Sequence, residues 1–86
     1  MRLVEYYGTW CGPCKMIAKT IEEVREEYPY VEIIQKDIDK VGQQEKDKYN
    51  ISMVPTFVFH KDDGCYELHK GVMSKEEIEE KIDSLM

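Results

Sequence analysis

Cys11 and Cys14, spaced C-x-x-C, stand where a run of strand-forming residues gives way to a helix, and that placement limits what the chain can be. Leu3-Val4-Glu5-Tyr6-Tyr7 favours a strand and ends at Gly8-Thr9. From about Gly12 to Tyr28 the residues Ile17, Ile21, Val24 and Tyr28 recur at helical spacing and make one apolar stripe. Pro13 sits in the first turn, where a missing N–H costs nothing, and Pro29 closes the helix. A cysteine pair at such a junction points to redox chemistry rather than to a structural staple. The third cysteine, Cys65, stands alone, whereas a disulfide-stapled secreted domain would use an even set. Met1-Arg2-Leu3-Val4-Glu5 meets a carboxylate too early for a signal-peptide core. The expected location is therefore the cytoplasm, where thiols stay mostly reduced.

Composition narrows the partners. With 12 Lys and Arg against 18 Asp and Glu, the net charge of −6 disfavours nucleic acid and anionic membrane surfaces. No apolar run approaches the roughly 18 residues of a membrane span. The 86 residues, 42% hydrophobic and 35% charged, suit one globular domain covering residues 1–86.

The rest of the chain reads as alternating elements. Val31 to Ile38 has apolar residues on both faces, as a strand covered on both sides would. Asp39 to Tyr49 is polar and predicts a short helix anchored by Val41 and Tyr49. Met53 to Phe59 predicts a strand opening with Pro55, a position that proline tolerates only at a strand's start or edge. Asp62-Asp63-Gly64 signals a hairpin, so Cys65 to His69 should run antiparallel to it. Ser74 and Glu77 form a capping box for a closing helix whose apolar face is Ile78, Ile82 and Leu85. The order β-α-β-α-β-β-α predicts a four-stranded mixed α/β sheet with flanking helices, its first pair parallel by a right-handed crossover. The loop carrying Cys11 then lies at the carboxyl end of the first strand, where open α/β sheets place their sites.

At the mouth of a helix, unpaired N–H groups and the positive end of the dipole favour an anion. From a starting pKa of about 8.5, the Cys11 thiol should fall toward neutrality and be substantially thiolate at cellular pH. Such a thiol is near its optimum for attacking a disulfide. Cys14, one turn further in, should lie deeper and keep its proton until needed, so Cys11 reads as the nucleophile and Cys14 as the resolving thiol. The bland alternative is half a zinc site. It lacks a second pair of ligands, since Cys65, His60 and His69 have no finger-like spacing.

Trp10-Cys11-Gly12-Pro13-Cys14-Lys15, after a hydrophobic strand and opening a helix, resembles the active-site signature of the thioredoxin family. Met53-Val54-Pro55-Thr56 is similar to the segment whose cis-proline faces the dithiol in that family. Gly64 and Gly71 also fall at its glycine positions, and the likeness runs from Arg2 to Met86. The resemblance implies a thioredoxin-like fold and a thiol:disulfide oxidoreductase that reduces protein disulfides. It implies no metal or organic cofactor, a separate thioredoxin-reductase-type electron donor, and a monomer. It implies that Gly12 and Pro13 set a reducing dithiol and that Pro55 is cis. Val54 would offer backbone hydrogen bonds to an extended substrate segment, with Trp10 and Gly71 beside it.

Glu5 falls where thioredoxins usually have a buried Asp behind the second cysteine, a group that accepts the Cys14 proton and returns it. A strand glutamate in solvent is the alternative reading, although Leu3, Glu5 and Tyr7 share a face under period-2 alternation. Gln35 replaces a lysine often found near that acid, and Tyr7 a tryptophan. Thioredoxins also carry a further strand and helix ahead of the strand leading into the dithiol. This sequence starts at that strand, which makes Val31–Ile38 an edge strand and brings the outline close to glutaredoxin.

Two rival functions follow. A glutathione-dependent glutaredoxin-like enzyme suits the short core, but Cys-Gly-Pro-Cys stands in place of Cys-Pro-Tyr-Cys. A redox-inert binding module on the same fold would not need both cysteines. Elsewhere, Trp10 is expected to be partly exposed for packing and docking. Lys15 reads as an ordinary surface lysine, Cys65 as a small buried hydrophobe, and His60 and His69 as solvated.

Overall fold

The computed structural model describes all residues from Met1 to Met86. Its elements are β1 (Arg2–Tyr7), α1 (Gly12–Glu27), β2 (Glu32–Asp37), a 3₁₀ turn (Ile38–Lys40), α2 (Gln43–Lys48), β3 (Thr56–His60), β4 (Tyr66–Lys70) and α3 (Lys75–Leu85). The sheet order is β2-β1-β3-β4, with β1 parallel to β2 and the other neighbours antiparallel. This is the expected mixed α/β sheet with flanking helices, and β2 lies at an edge as predicted. Glu32 N–H donates to the Met1 carbonyl, so alternate peptide groups of β2 face β1 and the others face outward. Arg25 of α1 reaches over and donates to the outward carbonyl of Ile33 at 2.8 Å. A side-chain donor thus partly satisfies an edge that would otherwise invite strand pairing.

Most ends shift by a residue from the sequence reading, and three departures have a visible local cause. The polar stretch from Asp39 to Tyr49 is not one helix. Asp37 Oδ1 accepts the Asp39 N–H at 3.0 Å and starts a separate 3₁₀ turn, after which Gly42 opens α2. The third strand begins at Thr56, whose hydroxyl donates to the Met53 carbonyl at 2.7 Å and bends residues 53–55 away from the ladder; the Val54–Pro55 peptide is cis. The fourth strand begins at Tyr66 rather than Cys65, whose N–H donates to Asp63 Oδ1 within the hairpin loop. Gly64 takes φ +90° there, a conformation open to glycine at no steric cost.

Strand alternation sorts the core into two layers. Leu3, Ile33, Phe57 and Phe59 point to one face, where Ile17, Ile21 and Val24 of α1 and Ile78 and Ile82 of α3 cover them. Each of these side chains contributes roughly 1.5–3 kcal/mol by leaving water. Val4, Tyr6 and Val58 point to the other face, whose smaller core is completed by Tyr49 with Ile34, Ile38, Val41 and Ile51 at its margin. The helix stripe read from the sequence is thus the α1 side of the larger layer. The expected capping box is present: Ser74 Oγ accepts the Glu77 N–H at 3.1 Å and Glu77 Oε1 accepts the Ser74 N–H at 3.0 Å. Lys75 ties the start of α3 to Glu23 and Glu27 of α1.

Candidate active site

Cys11 is the N-cap of α1, in extended conformation at φ −89° and ψ 110°. Its own N–H donates to the Gly8 carbonyl at 3.0 Å, which folds the loop after β1 back on itself. Its Sγ accepts the Cys14 N–H at 3.2 Å, so one of the orphan donors at the helix start is aimed at sulfur. Cys11 and Cys14 are joined by a disulfide, with Cα atoms 5.3 Å apart. Both cysteines are 5% exposed, so exposure does not separate them and the expectation of a deeper Cys14 is corrected. What distinguishes Cys11 is its place on the N-cap and its proximity to the Val54 carbonyl oxygen, 3.9 Å from its Sγ. Gly12 and Pro13 between the two cysteines are exposed.

The Val54–Pro55 segment is pinned from behind. Gly71, at φ +98°, donates its N–H to the Pro55 carbonyl at 2.8 Å. Val54 is half-buried and Pro55 buried. The geometry thus brings Cys11, Val54, Pro55 and Gly71 together across the ends of β1, β3 and β4.

Trp10 is 66% exposed, as the sequence suggested. It is nonetheless held at two points. Its Nε1 donates to Asp39 Oδ2 at 3.1 Å, and its ring lies over Gly8, where a Cβ would meet Cε2 at 2.8 Å. Between Trp10 and Met53 lies a depression of about 250 Å³, with Ile38, Ile51 and Val54 supplying apolar walls. Gly8 and Asp39 were not singled out in the sequence. Gly8 reads there only as a strand terminator, and Asp39 lies 29 residues from its contact.

Glu5 is 1% exposed, which removes the solvent-facing alternative. Its Oε1 accepts from Gln35 Nε2 at 3.1 Å, while its Oε2 is buried with no protein partner. Burial raises its carboxyl above the ordinary range, and the Gln35 hydrogen bond opposes that rise. Gln35 is exposed and in turn accepts from Arg25 at 3.2 Å, forming a chain from the buried acid to the surface. Cys65 is exposed, not the buried hydrophobe expected, because the hairpin loop turns residue 65 outward before β4 begins. His60 and His69 are each half-buried against aromatic rings rather than freely solvated. No group of three or more His, Cys, Asp or Glu is arranged to hold a metal.

A family model described as Thioredoxin matches residues 1–84. The chain belongs to the thioredoxin family. It is 39% identical over 83 residues to Thioredoxin Asp f 28 of Aspergillus fumigatus, covering 96% of this chain and 76% of that protein. It is 34% identical over 84 residues to a thioredoxin of Staphylococcus aureus, covering 96% and 80%. In three dimensions it superposes on Fasciola hepatica thioredoxin with a TM-score of 0.86 at 32% identity, over 99% of this chain and 80% of the other. Chloroplastic thioredoxin z gives a TM-score of 0.84 at 29% identity, over 98% and 76%. As in other thioredoxins, the chemistry is dithiol–disulfide exchange, with Cys11 and Cys14 placed to close the bridge. The protein is a thiol:disulfide oxidoreductase whose redox centre is its own cysteine pair, so the resident chemistry needs no cofactor.

Proposed function

We propose that residues 1–86 act as one unit, a monomeric reductant of protein disulfides in the cytoplasm, with Cys11 as nucleophile and Cys14 as resolving thiol. The observation that carries the assignment is the Cys11 Sγ at the helix mouth, accepting the Cys14 N–H and facing Val54. The Cys11 thiolate attacks one sulfur of a partner's disulfide. That S–S bond breaks, the second partner sulfur leaves as thiolate, and a mixed disulfide forms through Cys11. Cys14 then loses its proton and attacks the Cys11 sulfur, which frees the first partner sulfur and closes the 11–14 bridge. Two electrons pass to the partner, and a separate thioredoxin-reductase-type donor returns them.

Glu5, raised by burial, is the acceptor for the Cys14 proton, directly or through water. Val54 and Pro55 present backbone to an extended substrate segment. Trp10, Gly12, Pro13 and Gly71 line the approach, with the apolar depression beside Trp10 receiving a substrate side chain. Insulin reduction by the wild type and by Cys11→Ser tests the assignment. Loss of turnover in the variant is expected, and equal rates would end it. Recycling by reduced glutathione alone would instead make the protein glutaredoxin-like. Alkylation across a pH series should show residue 11 reacting below the pH range of a free peptide cysteine.

A further inference from the structure

One row of side chains crosses the sheet at the end remote from the dithiol. Strand register places Glu32, Arg2, His60 and Tyr66 side by side on the face that α2 covers. Lys48 and Tyr49, at the end of α2, sit above this row. The Tyr49 ring packs edge-on against His60 at 5.7 Å and against Tyr66 at 5.0 Å, and Lys48 Nζ lies 5.3 Å from the Tyr49 ring centre. Beside Tyr49 and His60 is an open pocket of about 290 Å³, whose rim carries Arg2, Lys36, Lys48 and His60.

The charges in this pocket are unevenly spent. Lys36 is paired with Glu45 at 2.8 Å, and Glu45 also accepts from the Tyr6 hydroxyl. Glu45 is therefore already neutralised and held. Arg2 and Lys48 are exposed and have no carboxylate within ion-pair distance. The charged groups facing His60 are Arg2 from β1, Lys36 from β2, and Glu45 and Lys48 from α2. Arg2, Lys48 and His60 also line the adjoining hollow, together with Glu32, Lys61 and Asp62; Glu32 is the register neighbour of Arg2, and Asp62 is taken up by the amino terminus. In a chain of net charge −6, this is a local excess of positive charge around a concavity.

We propose that this pocket binds a phosphate dianion, free or as the phosphomonoester of a small metabolite, with Arg2 and Lys48 as the charged donors and His60 as a third donor when protonated. Donors drawn from β1, β3 and α2 converge on one hollow, a geometry suited to a compact dianion rather than to an extended acidic chain. Guanidinium and ammonium groups recognise phosphate through charge-assisted hydrogen bonds. Tyr66 lines the adjoining hollow, which shares Arg2, Lys48 and His60 with this pocket, and offers a flat wall there to whatever carries the phosphate. His60 reports on the field there: burial holds its imidazole below the usual range, and Arg2, Lys48 and Lys36 press it in the same direction. An anion seated among these cations would reverse that push.

The two histidines make the test direct, because His69 lies on the opposite face against Phe57 and serves as an internal reference. His60 and His69 ring resonances would be followed by NMR while inorganic phosphate, AMP or chloride is added at constant ionic strength. A saturable shift of His60, a higher titration midpoint and an unmoved His69 are expected with phosphate and AMP. Binding should be millimolar or tighter, the strength that two charge-assisted hydrogen bonds sustain. Tighter binding of AMP would assign a phosphomonoester whose body rests on Tyr66, and equal affinity would assign phosphate itself. The Arg2→Gln/Lys48→Gln double variant should bind at least about tenfold more weakly while reducing insulin at the wild-type rate. The proposal is overturned if His60 does not move, if chloride moves it equally, or if the double variant binds as well as the wild type.

Discussion

The carboxylate of Glu5 is held by the side-chain amide of Gln35 at 3.1 Å, and its second oxygen meets no protein donor. A neutral amide can orient a buried acid, but it supplies no positive charge to keep that acid ionised. Burial therefore dominates, and Glu5 retains its proton to a higher pH in the folded protein than in the unfolded chain.

Glu5→Gln should separate two consequences of that shift. For a raised carboxyl, the stabilising contribution is complete below the unfolded value of 4.5 and is lost as pH climbs through the folded value. The substituted amide cannot ionise, so the variant escapes that loss. Urea titrations should show the two proteins converging near pH 4 and the variant more stable at pH 7, by on the order of 1–3 kcal/mol. Disulfide reduction should slow about tenfold or more, with a flatter pH profile, once the proton acceptor is gone. Parallel stability curves would show that ionising Glu5 costs nothing.

Gln35→Lys tests the same pair from the other side. A cation in place of the amide favours the carboxylate, so the Glu5 titration followed by carboxyl NMR should move down. The pH profile of disulfide reduction should move down with it. Arg25 would lose the Gln35 oxygen but keep the Ile33 carbonyl, so the strand edge stays covered. An unchanged profile alongside a lowered Glu5 titration would remove Glu5 from the proton-transfer step.

Local rules made much of this molecule legible. The stripe Ile17-Ile21-Val24, the Asp62-Asp63-Gly64 hairpin and the Ser74/Glu77 box each rest on neighbours within a turn or two, and each appears as read. The signals failed where a side chain competes with the backbone for a peptide group. Asp37 captures the Asp39 N–H and splits the predicted second helix, and the Thr56–Met53 bond delays the third strand. Within the site, the cysteine pair and Pro55 carry sequence signatures. Glu5 stayed ambiguous because period-2 alternation says which face it shares but not what covers that face. Gly8 and Asp39 became visible only once the Trp10 ring was in place.

Ser74 starts the only helix that follows the last strand, and Ile78 and Ile82 from that helix are fully buried. Ser74→Ala removes the oxygen that accepts the Glu77 N–H and breaks the reciprocal box. The expected cost is about 1 kcal/mol, read as a fall in Tm of roughly 4–8 °C for a domain of this size. Because Ser74 lies outside the dithiol region, insulin reduction at 25 °C should be unchanged.

Gly8→Ala probes the support under Trp10. The added methyl would sit 2.8 Å from Cε2 and 2.9 Å from Cζ2 of the indole, closer than carbon atoms approach, so the ring must move. Its hydrogen bond to Asp39 then breaks, and the depression between Trp10 and Met53 changes shape. Overpacking of this kind costs about 1–3 kcal/mol, less where an exposed ring can swing into water. Trp10 is the only tryptophan, so its fluorescence reports the movement without labelling. The Cys11–Gly8 backbone bond does not involve the methyl, and the dithiol should keep its alkylation profile. A raised KM for protein substrates with little change in kcat is therefore expected. A fall in kcat with unaltered KM would instead assign the Trp10 ring to the exchange step itself.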